Sequence, residues 1–203
     1  MLSQRQIIIK RLFDIIFSLT GLVLLGWIIL VAFILATIDT RKNGFFTQER
    51  IGKNGKIFKV IKIRTMRELP GFDTTVTTQR DPRITRLGAV LRKTKIDELP
   101  QLINVLLGQM SFVGPRPDVP GYADKLPEED RRVILSVRPG ITGPATLKYR
   151  AEEEILATVD DPETYNREVI FPDKVRINRE YVENYSFIND LRYIWATIMG
   201  IKG

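Results

Sequence analysis

The longest apolar run in the chain covers residues 15–38, which are 24 consecutive positions without a charged side chain. As a helix, this run is long enough to cross roughly 30 Å of bilayer hydrocarbon. No small-residue cleavage site precedes or follows it, so the pattern predicts an uncleaved membrane anchor. We place the anchor at residues 1–42 and a folded domain at residues 43–203.

Basic residues stand on both sides of the apolar run, although a spanning helix normally has its excess of Lys and Arg at the cytoplasmic end. These residues are Arg5, Lys10 and Arg11 before the run, and Arg41 and Lys42 after it. A re-entrant helix, bent at Gly26 in the middle of the run, would place both ends on the cytoplasmic side. Glycine is also frequent in straight transmembrane helices, so the spanning and re-entrant alternatives both stay open.

The next patterned region predicts a β-hairpin. Two β-prone runs flank Asn54-Gly55, a pair that suits a tight turn in which both central residues have positive φ. The second run interleaves four cations with apolar residues, and these cations are Lys56, Lys59, Lys62 and Arg64. Residues 67–83 are polar and rich in turn formers, which predicts a mobile loop.

Helical periodicity follows the loop. Residues 84–95 predict a helix with Arg92 near its end. In the next segment Leu99, Leu102, Ile103, Leu106 and Leu107 form an apolar stripe that ends at Gly108. Pro100 is tolerated only in the first turn, so this helix is expected to start close to Asp97.

The segment 179–200 also has an apolar helical face, and a buried core helix and a membrane-surface helix both fit it. Its aromatic residues Tyr193 and Trp195 could anchor it at an interface. The predicted fold class is therefore α+β: a membrane helix followed by a small, mostly helical domain with a β-hairpin.

The amino-acid composition excludes several kinds of catalytic and metal-binding site. The chain of 203 residues has no Cys and no His, which excludes disulfides, thiolate nucleophiles, histidine bases and His-ligated metals. Residues 51–100 hold twelve basic and five acidic residues, just after the apolar run. Such a surface suits anionic lipid or a phosphorylated substrate, while nucleic acid and a merely solvated basic face remain alternatives.

Two adjacent acids, Asp97 and Glu98, open the helix with the apolar stripe. A carboxylate at this place commonly caps a helix. The helix dipole would hold Asp97 ionised, which suits a cap, a metal ligand and a nucleophile equally. Because consecutive residues point about 100° apart around a helix, the two acids are expected to have different roles.

Arg116 in "SFVGPRP" and Arg138 in "VRPGITGP" each stand beside Pro and Gly. Proline stiffens the backbone and glycine lets a ligand approach, so each loop could present a guanidinium to a phosphate. An ordinary surface turn is the alternative for each loop.

Several motifs occur together in a characteristic order: "KRLFD", "FFTQERIG", "KIFKVIKIRTM", "DELPQLINVLLGQMSFVGPRP", "RPGITGP" and "YVENYSFINDLRYI". The chain thereby resembles the bacterial sugar transferases, the monotopic (polyprenyl phosphate) phosphoglycosyl transferase family. The resemblance is dense from about Lys10 to Gly143 and thinner from Arg179 to Thr197.

The resemblance implies an enzyme on the cytoplasmic face of the bacterial inner membrane. Such an enzyme transfers a sugar 1-phosphate from a UDP-sugar to polyprenyl (undecaprenyl) phosphate and releases UMP, as the first membrane step of glycan assembly. The implied partners are these two substrates and the lipid membrane, without nucleic acid, and homo-oligomers are left open. Residues 43–203 would be the cytosolic catalytic domain.

The family pattern also implies site residues. Asp97 corresponds to a nucleophile that forms a covalent phosphosugar intermediate, and it would lie against a required Mg²⁺. Glu98 corresponds to an assisting acid or base. The matching phosphate-contact candidates are Arg92, Arg116 and Arg138, followed by Lys62 and Arg64. Magnesium and guanidinium groups would neutralise the phosphoryl oxygens that a carboxylate must approach.

Two features depart from the family pattern. The resemblance implies that residues 1–42 form a re-entrant membrane helix, a helix hairpin with both ends on the cytoplasmic side. The family usually carries a Ser-Pro pair at the break of this hairpin, where this chain has Gly26-Trp27. Residues 145–179 form a longer segment than in compact relatives, and no role is assigned to it.

The alternative function is a non-catalytic membrane module whose basic surface binds anionic lipid or nucleic acid.

Overall fold

The computed structural model describes residues 2–69 and 81–201. The longest element is helix α1, Gln4–Thr40. The other helices are α2 Arg86–Lys93, α3 Gln101–Leu106, α4 Glu128–Ile134, α5 Pro144–Lys148, α6 Glu152–Leu156, α7 Pro162–Tyr165, α8 Phe171–Glu183 and α9 Phe187–Met199. The strands are β1 Phe45–Ile51, β2 Ile57–Ile63, β3 Ser111–Val113 and β4 Gly140–Thr142. The α+β class, mostly helical with little sheet, is confirmed.

Helix α1 begins with a capping box in which Ser3 and Gln6 satisfy each other's backbone N–H groups. It ends at Arg41, whose left-handed backbone terminates the helix. Between these ends the helix passes through Gly26 without interruption, so the break considered there is not seen. Within the described ranges, α1 is the helix that has the length and apolarity to cross a membrane.

One face of α1 packs against the rest of the protein along the whole helix. Its buried positions follow the helical repeat: Lys10, Asp14, Ser18, Ile29, Ala32, Ala36 and Thr40. In its first half, Arg11 donates to the carbonyl oxygens of Val105 and Leu106 at 2.7 and 2.8 Å. In its second half, Ile29, Ala32 and Ala36 join a core with Ile63 and Leu91. The 37-residue helix therefore lies along the domain.

The opposite face of α1 is apolar and exposed. Its exposed side chains include Ile8, Leu12, Ile16, Val23, Trp27, Leu30, Ile34 and Ile38. Val23 and Trp27 expose 75% and 67% of their surface, which is unusual for large apolar groups in water. Helix α1 thus joins the domain by one face and leaves the other free for an apolar environment.

The predicted β-hairpin is confirmed. Strands β1 and β2 pair antiparallel, with Phe45 opposite Ile63 and Ile51 opposite Ile57. Asn54 and Gly55 at the turn have φ of 56° and 75°, as the sequence predicts. The hairpin tip is held in place because Asn54 donates its backbone N–H to the Leu135 carbonyl oxygen at 2.7 Å. The loop predicted at 67–83 lies largely outside the described residues.

The two Gly-Pro motifs meet in a second, parallel pair of strands. Ser111 of β3 pairs with Gly140 of β4, and Val113 pairs with Thr142. A Cβ atom on Gly140 would lie 2.1 Å from the Gly114 nitrogen, so both positions require glycine. The glycines expected to admit a ligand instead let two chain segments approach each other.

The segment predicted as one helical face at 179–200 forms two helices, α8 and α9, which are separated at residues 184–186. On α9, Tyr193 and Ile194 pack into a core with Val113 and Tyr181, whereas Leu191, Trp195 and Ile198 are exposed. Helix α9 therefore combines the two alternatives considered for it, since one face is in the core and the other is apolar and exposed.

A buried polar cluster joins α1 to the last two helices. Lys10 forms an ion pair with Asp190, which also accepts a hydrogen bond from the Tyr181 hydroxyl at 2.8 Å. The Tyr185 hydroxyl lies 3.3 Å from the other Asp190 oxygen. Because buried charges must be paired, this cluster fixes how α1 sits on α8 and α9.

Candidate active site

Asp97 lies in a tight connection between α2 and α3. After α2 ends at Lys93, Lys95 adopts a left-handed conformation with φ of 59°, and Ile96–Glu98 form a short 3-10 turn. Helix α3 starts only at Gln101, so Asp97 precedes it rather than capping it, contrary to the expectation from the sequence. The reversal of the chain turns the Asp97 side chain inward, where it is 6% exposed.

The Asp97 carboxyl group is poorly satisfied. Its Oδ1 atom is buried and has no hydrogen-bond partner among the residues the structure describes. Burial, together with the charge of Glu98, raises the pKa of Asp97, while Lys62, Arg92 and Lys95 oppose this shift. The sequence predicts that a helix dipole favours the ionised form of Asp97, whereas in the structure burial of this carboxyl group opposes its ionisation.

Glu98, in contrast to Asp97, is hydrogen-bonded by two cationic side chains. One of its oxygens, Oε1, accepts from Arg116 at 2.7 Å and from Lys62 at 3.0 Å. Burial alone would raise its pKa, but Arg116 and Lys62 hold the pKa of Glu98 well below its usual value. Two neighbouring acids thus have pKa values shifted in opposite directions, which is typical of acids with separate functions.

Asn104 ties this turn to the hairpin. It is fully buried on α3, donates from Nδ2 to the Lys59 carbonyl oxygen at 2.8 Å, and accepts from the Ile61 N–H at 3.0 Å. The second of these bonds holds Ile61, the residue directly before Lys62 on β2. The position of Lys62 relative to Glu98 is thereby fixed by a side chain that the sequence analysis did not single out.

The structure brings together five of the seven residues predicted for the site. Lys62 and Arg116 contact Glu98. Arg92, in the last turn of α2, lies close enough to lower the pKa of Asp97. Asp97 and Glu98 themselves complete the group.

Arg64 and Arg138 are placed elsewhere. Arg64 lies at the end of β2 and donates to the carbonyl oxygens of Asn43 and Phe45 at 2.8 and 3.4 Å. Arg138 donates from Nε to the Gly108 carbonyl oxygen at 2.8 Å, on the side of the domain where Arg11 and Asp14 lie. The substrate contacts predicted for these two arginines stay predictions.

Further charged residues extend the site beyond Arg116, and sequence reasoning missed them. Arg50 is largely buried, and burial, with the charge of Arg116, lowers its pKa to about 10. Burial raises the pKa of Asp118 to about 6. Glu152 pairs with Lys174 at 2.6 Å, and both lie near Asp118.

The sequence signal for Arg50 was its place in the motif "FFTQERIG", and Asp118 directly follows the motif that ends in "GPRP". The other two residues, Glu152 and Lys174, come from the segment 145–179, to which no role was assigned. Helices α6 and α8 therefore supply charges at the edge of the site.

The residues present fit a magnesium ion. Mg²⁺ is commonly held by one or two carboxylates together with water and substrate phosphates. Asp97 offers a carboxylate oxygen that lacks a partner, and Arg116 and Lys62 already neutralise Glu98 beside it. Among the described residues, three or more acidic groups do not converge on one point, so the protein itself would supply few ligands.

A buried acid with an unpaired oxygen, next to an acid held by two cations, is suited to phosphate chemistry, because cations must offset the charge of the phosphoryl oxygens. Comparison with known proteins agrees with this class of site. The family model described as "Bacterial sugar transferase" matches residues 5–202. The chain therefore belongs to the bacterial sugar transferase family, as its motifs indicated, and it is a transferase enzyme.

Individual relatives cover most of the chain. It is 38% identical over 205 residues to the exopolysaccharide production protein PSS of Rhizobium leguminosarum bv. phaseoli, covering 96% of this chain and 95% of the relative. A Bacillus subtilis (strain 168) protein, provisionally named as an undecaprenyl-phosphate N-acetylgalactosaminyl 1-phosphate transferase, is 44% identical over 156 residues, covering 74% and 83% of the two chains.

A longer relative has a more specific name. The UDP-glucose:undecaprenyl-phosphate glucose-1-phosphate transferase of Klebsiella pneumoniae is 35% identical over 199 residues. The match covers 95% of this chain and 40% of the relative. These relatives are named for sugar-phosphate transfer to undecaprenyl phosphate and for exopolysaccharide production.

Proposed function

We propose that this protein transfers a sugar 1-phosphate from a UDP-sugar to undecaprenyl phosphate, and that Asp97 is the nucleophile. The observation that carries the proposal is the buried Asp97 carboxyl group, whose Oδ1 atom lacks a partner beside the Glu98, Arg116 and Lys62 cluster. A carboxylate that nothing in the described protein occupies is available to attack phosphorus. The names of the relatives support both substrates.

The reaction then has two steps. An Asp97 oxygen attacks the sugar-bearing phosphorus of the donor, and the bond from that phosphorus to the bridging oxygen breaks, so UMP leaves with the bond electrons. The resulting aspartyl phosphosugar is attacked at the same phosphorus by an oxygen of undecaprenyl phosphate. The bond to Asp97 breaks, which regenerates the carboxylate and gives undecaprenyl diphosphate sugar.

The raised pKa of Asp97 has a consequence for this scheme. A carboxylate that burial makes less stable as an anion is a stronger nucleophile once it is ionised, and cations that arrive with the donor would favour its ionised form. Asp97 would hold Mg²⁺, which, when bound, offsets charge on the phosphoryl oxygens.

Glu98 has a different role in the proposal. Its pKa is held so low that it is a poor proton acceptor near neutral pH. We therefore assign it to holding Arg116 and Lys62 in position rather than to proton transfer. Arg116, whose side chain remains 43% exposed, can contact Glu98 and still reach a donor phosphate with its other N–H groups.

The proposal also includes the placement of α1 in the membrane. Contacts along the whole of α1 and an apolar outer face support a helix that lies in one leaflet rather than one that crosses the bilayer. A crossing helix would be surrounded by lipid in its middle, whereas the Gly21 backbone of α1 lies against Leu102. The remaining domain would face the cytoplasm, where UDP-sugars are made.

The test uses purified full-length protein with Mg²⁺, undecaprenyl phosphate and a panel of UDP-sugars, and it measures UMP release. We expect release with at least one donor and none from Asp97→Asn. Asp160→Asn, the same chemical change at an exposed position, is the matched control and should retain activity. Digestion after reaction with labelled donor should yield a labelled peptide containing Asp97; turnover without such a peptide would contradict the covalent step.

A further inference from the structure

A cavity of about 150 Å³ lies on the side of the domain next to the start of α1. It is enclosed by the N-terminal part of α1, the hairpin tip, the chain after α4 and the start of β3. Its lining residues are Leu2, Ile7, Lys10, Asp14, Lys53, Ser111, Ser136, Val137 and Arg138. Asp97, Glu98, Lys62 and Arg116 are not among them, so the cavity is separate from the candidate active site.

Two cations of the cavity have unused hydrogen-bond donors. Lys53 at the hairpin tip forms no ion pair or side-chain hydrogen bond with the described residues. Arg138 uses only Nε, which donates to Gly108, and its two terminal nitrogens have no hydrogen-bond partner in the same part of the chain. An anion in the cavity could accept from both residues.

The other polar groups of the cavity have hydrogen-bond partners, except Asp14 Oδ2, which is buried and has none among the described residues. Lys10 pairs with Asp190, and one Asp14 oxygen accepts from the Ser111 hydroxyl and the Phe112 N–H, both at 3.0 Å. The Ser136 hydroxyl donates to the Val133 carbonyl oxygen at 2.7 Å. The lining residues include three basic side chains, Lys10, Lys53 and Arg138, and one acidic side chain, Asp14. This excess of basic side chains favours an anionic ligand.

Apolar side chains line the cavity and lie next to it, which favours a ligand with an apolar part. Leu2, Ile7 and Val137 line the cavity beside its cations. Just outside, Ile8 and Leu12 on α1 expose 57% and 55% of their surface. Leu107, next to the glycine that Arg138 contacts, exposes 65%. The cavity thus lies beside the apolar face of α1, where a lipid headgroup would be followed by its acyl chains.

We propose that this cavity binds the phosphodiester headgroup of an anionic membrane phospholipid, with Lys53 and Arg138 as its phosphate ligands. A phosphodiester is an anion whose oxygens can accept hydrogen bonds from both cations. The site is distinct from the one that would bind the sugar donor, and it would hold the start of α1 at the headgroup level. The proposal does not depend on the identity of the transferase substrates.

The experiment measures lipid binding to the full chain in detergent by native mass spectrometry. The probes are dihexanoyl phosphatidylglycerol, dihexanoyl phosphatidylcholine and inorganic phosphate. We expect phosphatidylglycerol to bind most tightly, because the quaternary ammonium of phosphatidylcholine is repelled by the two cations and inorganic phosphate gains nothing from the apolar wall. In Lys53→Gln/Arg138→Gln the affinity for phosphatidylglycerol should fall by roughly tenfold or more, since two charged hydrogen bonds are lost.

The matched control is Lys56→Gln/Arg132→Gln, which removes the same charge from exposed positions on the hairpin tip and α4, outside the cavity. It should bind phosphatidylglycerol as the unmodified protein does. Lys53→Glu provides a second variant that leaves the bond from Arg138 to Gly108 intact, and it should also bind more weakly.

Three results would overturn the proposal. Unchanged phosphatidylglycerol binding in folded Lys53→Gln/Arg138→Gln and in Lys53→Glu would exclude these cations as ligands. An equal loss in the control would show a general effect of charge. Equal binding of inorganic phosphate would show that the cavity takes phosphate without its lipid.

Discussion

Arg116 donates to Glu98 Oε1 at 2.7 Å, and the same oxygen accepts from Lys62 at 3.0 Å. This shared acceptor links the loop after β3, the turn before α3 and the hairpin strand β2. The Oδ1 atom of the adjacent Asp97 has no hydrogen-bond partner among the described residues, although Asp97 is 6% exposed and thus more deeply buried than Glu98. One acid of the pair is thus stabilised as an anion by its neighbours, and the other is left available.

The first prediction concerns Glu98. Glu98→Gln leaves Lys62 and Arg116 without their counter-ion, so we expect transferase activity to fall strongly. The free energy of unfolding should fall by about 1–3 kcal/mol, because two charged hydrogen bonds are weakened while Arg116 stays partly exposed. UMP release and chemical denaturation measure the two effects. Glu68→Gln, which breaks the exposed pair with Lys42, should leave stability nearly unchanged. An unchanged free energy of unfolding in Glu98→Gln would contradict the role of Glu98 in holding the two cations.

The second prediction concerns Asn104, which joins α3 to β2. Asn104→Leu leaves the partly buried Lys59 carbonyl and Ile61 N–H groups without partners, and each should cost about 1 kcal/mol. Thermal unfolding in detergent should show a clearly lower midpoint, and activity should fall because Lys62 shifts relative to Glu98. Asn184→Leu, at the exposed end of α8, is the comparison and should have little effect. Equal effects of both changes would contradict this role.

The third prediction is a pH dependence at Asp118. Burial raises its pKa from 3.8 to about 6, so the folded protein binds this proton more tightly than the unfolded chain does. Its contribution to stability is therefore fully present below about pH 4 and is lost as the pH rises through about 6.

Asp118→Asn removes that dependence. Relative to the unmodified protein, the variant should gain stability at pH 8, by up to about 3 kcal/mol for a shift of two pKa units, and gain none at pH 4. Denaturation at both pH values measures the difference. A gain of the same size at pH 4 would contradict the assigned pKa.

The fourth prediction concerns the topology of α1. If the helix lies in one leaflet, both of its ends stay on the cytoplasmic side. Because the chain lacks cysteine, Ser3→Cys and Asn43→Cys each introduce a unique label site. A membrane-impermeant maleimide should label neither in intact cells and both after lysis. External labelling of either position would show that the helix crosses the bilayer.

Local sequence was sufficient where neighbouring residues dictate the conformation. The apolar run at residues 15–38 determined α1, and Asn54-Gly55 determined the hairpin turn, because periodicity and positive φ are properties of adjacent residues. The order of the motifs also identified the family and singled out Asp97 and Glu98. The local signal failed at the start of α3, where Lys95 reverses the chain and separates the two acids from the helix.

Only the tertiary structure decided which side chains meet. Arg116 and Arg138 have nearly the same Pro and Gly neighbours, yet Arg116 lies at Glu98 and Arg138 lies at a separate cavity. The pKa values of Asp97 and Glu98 are shifted in opposite directions because burial and the cations of β2 and the Arg116 loop act unequally on them. These effects depend on distances between segments far apart in the chain, which a linear pattern does not contain.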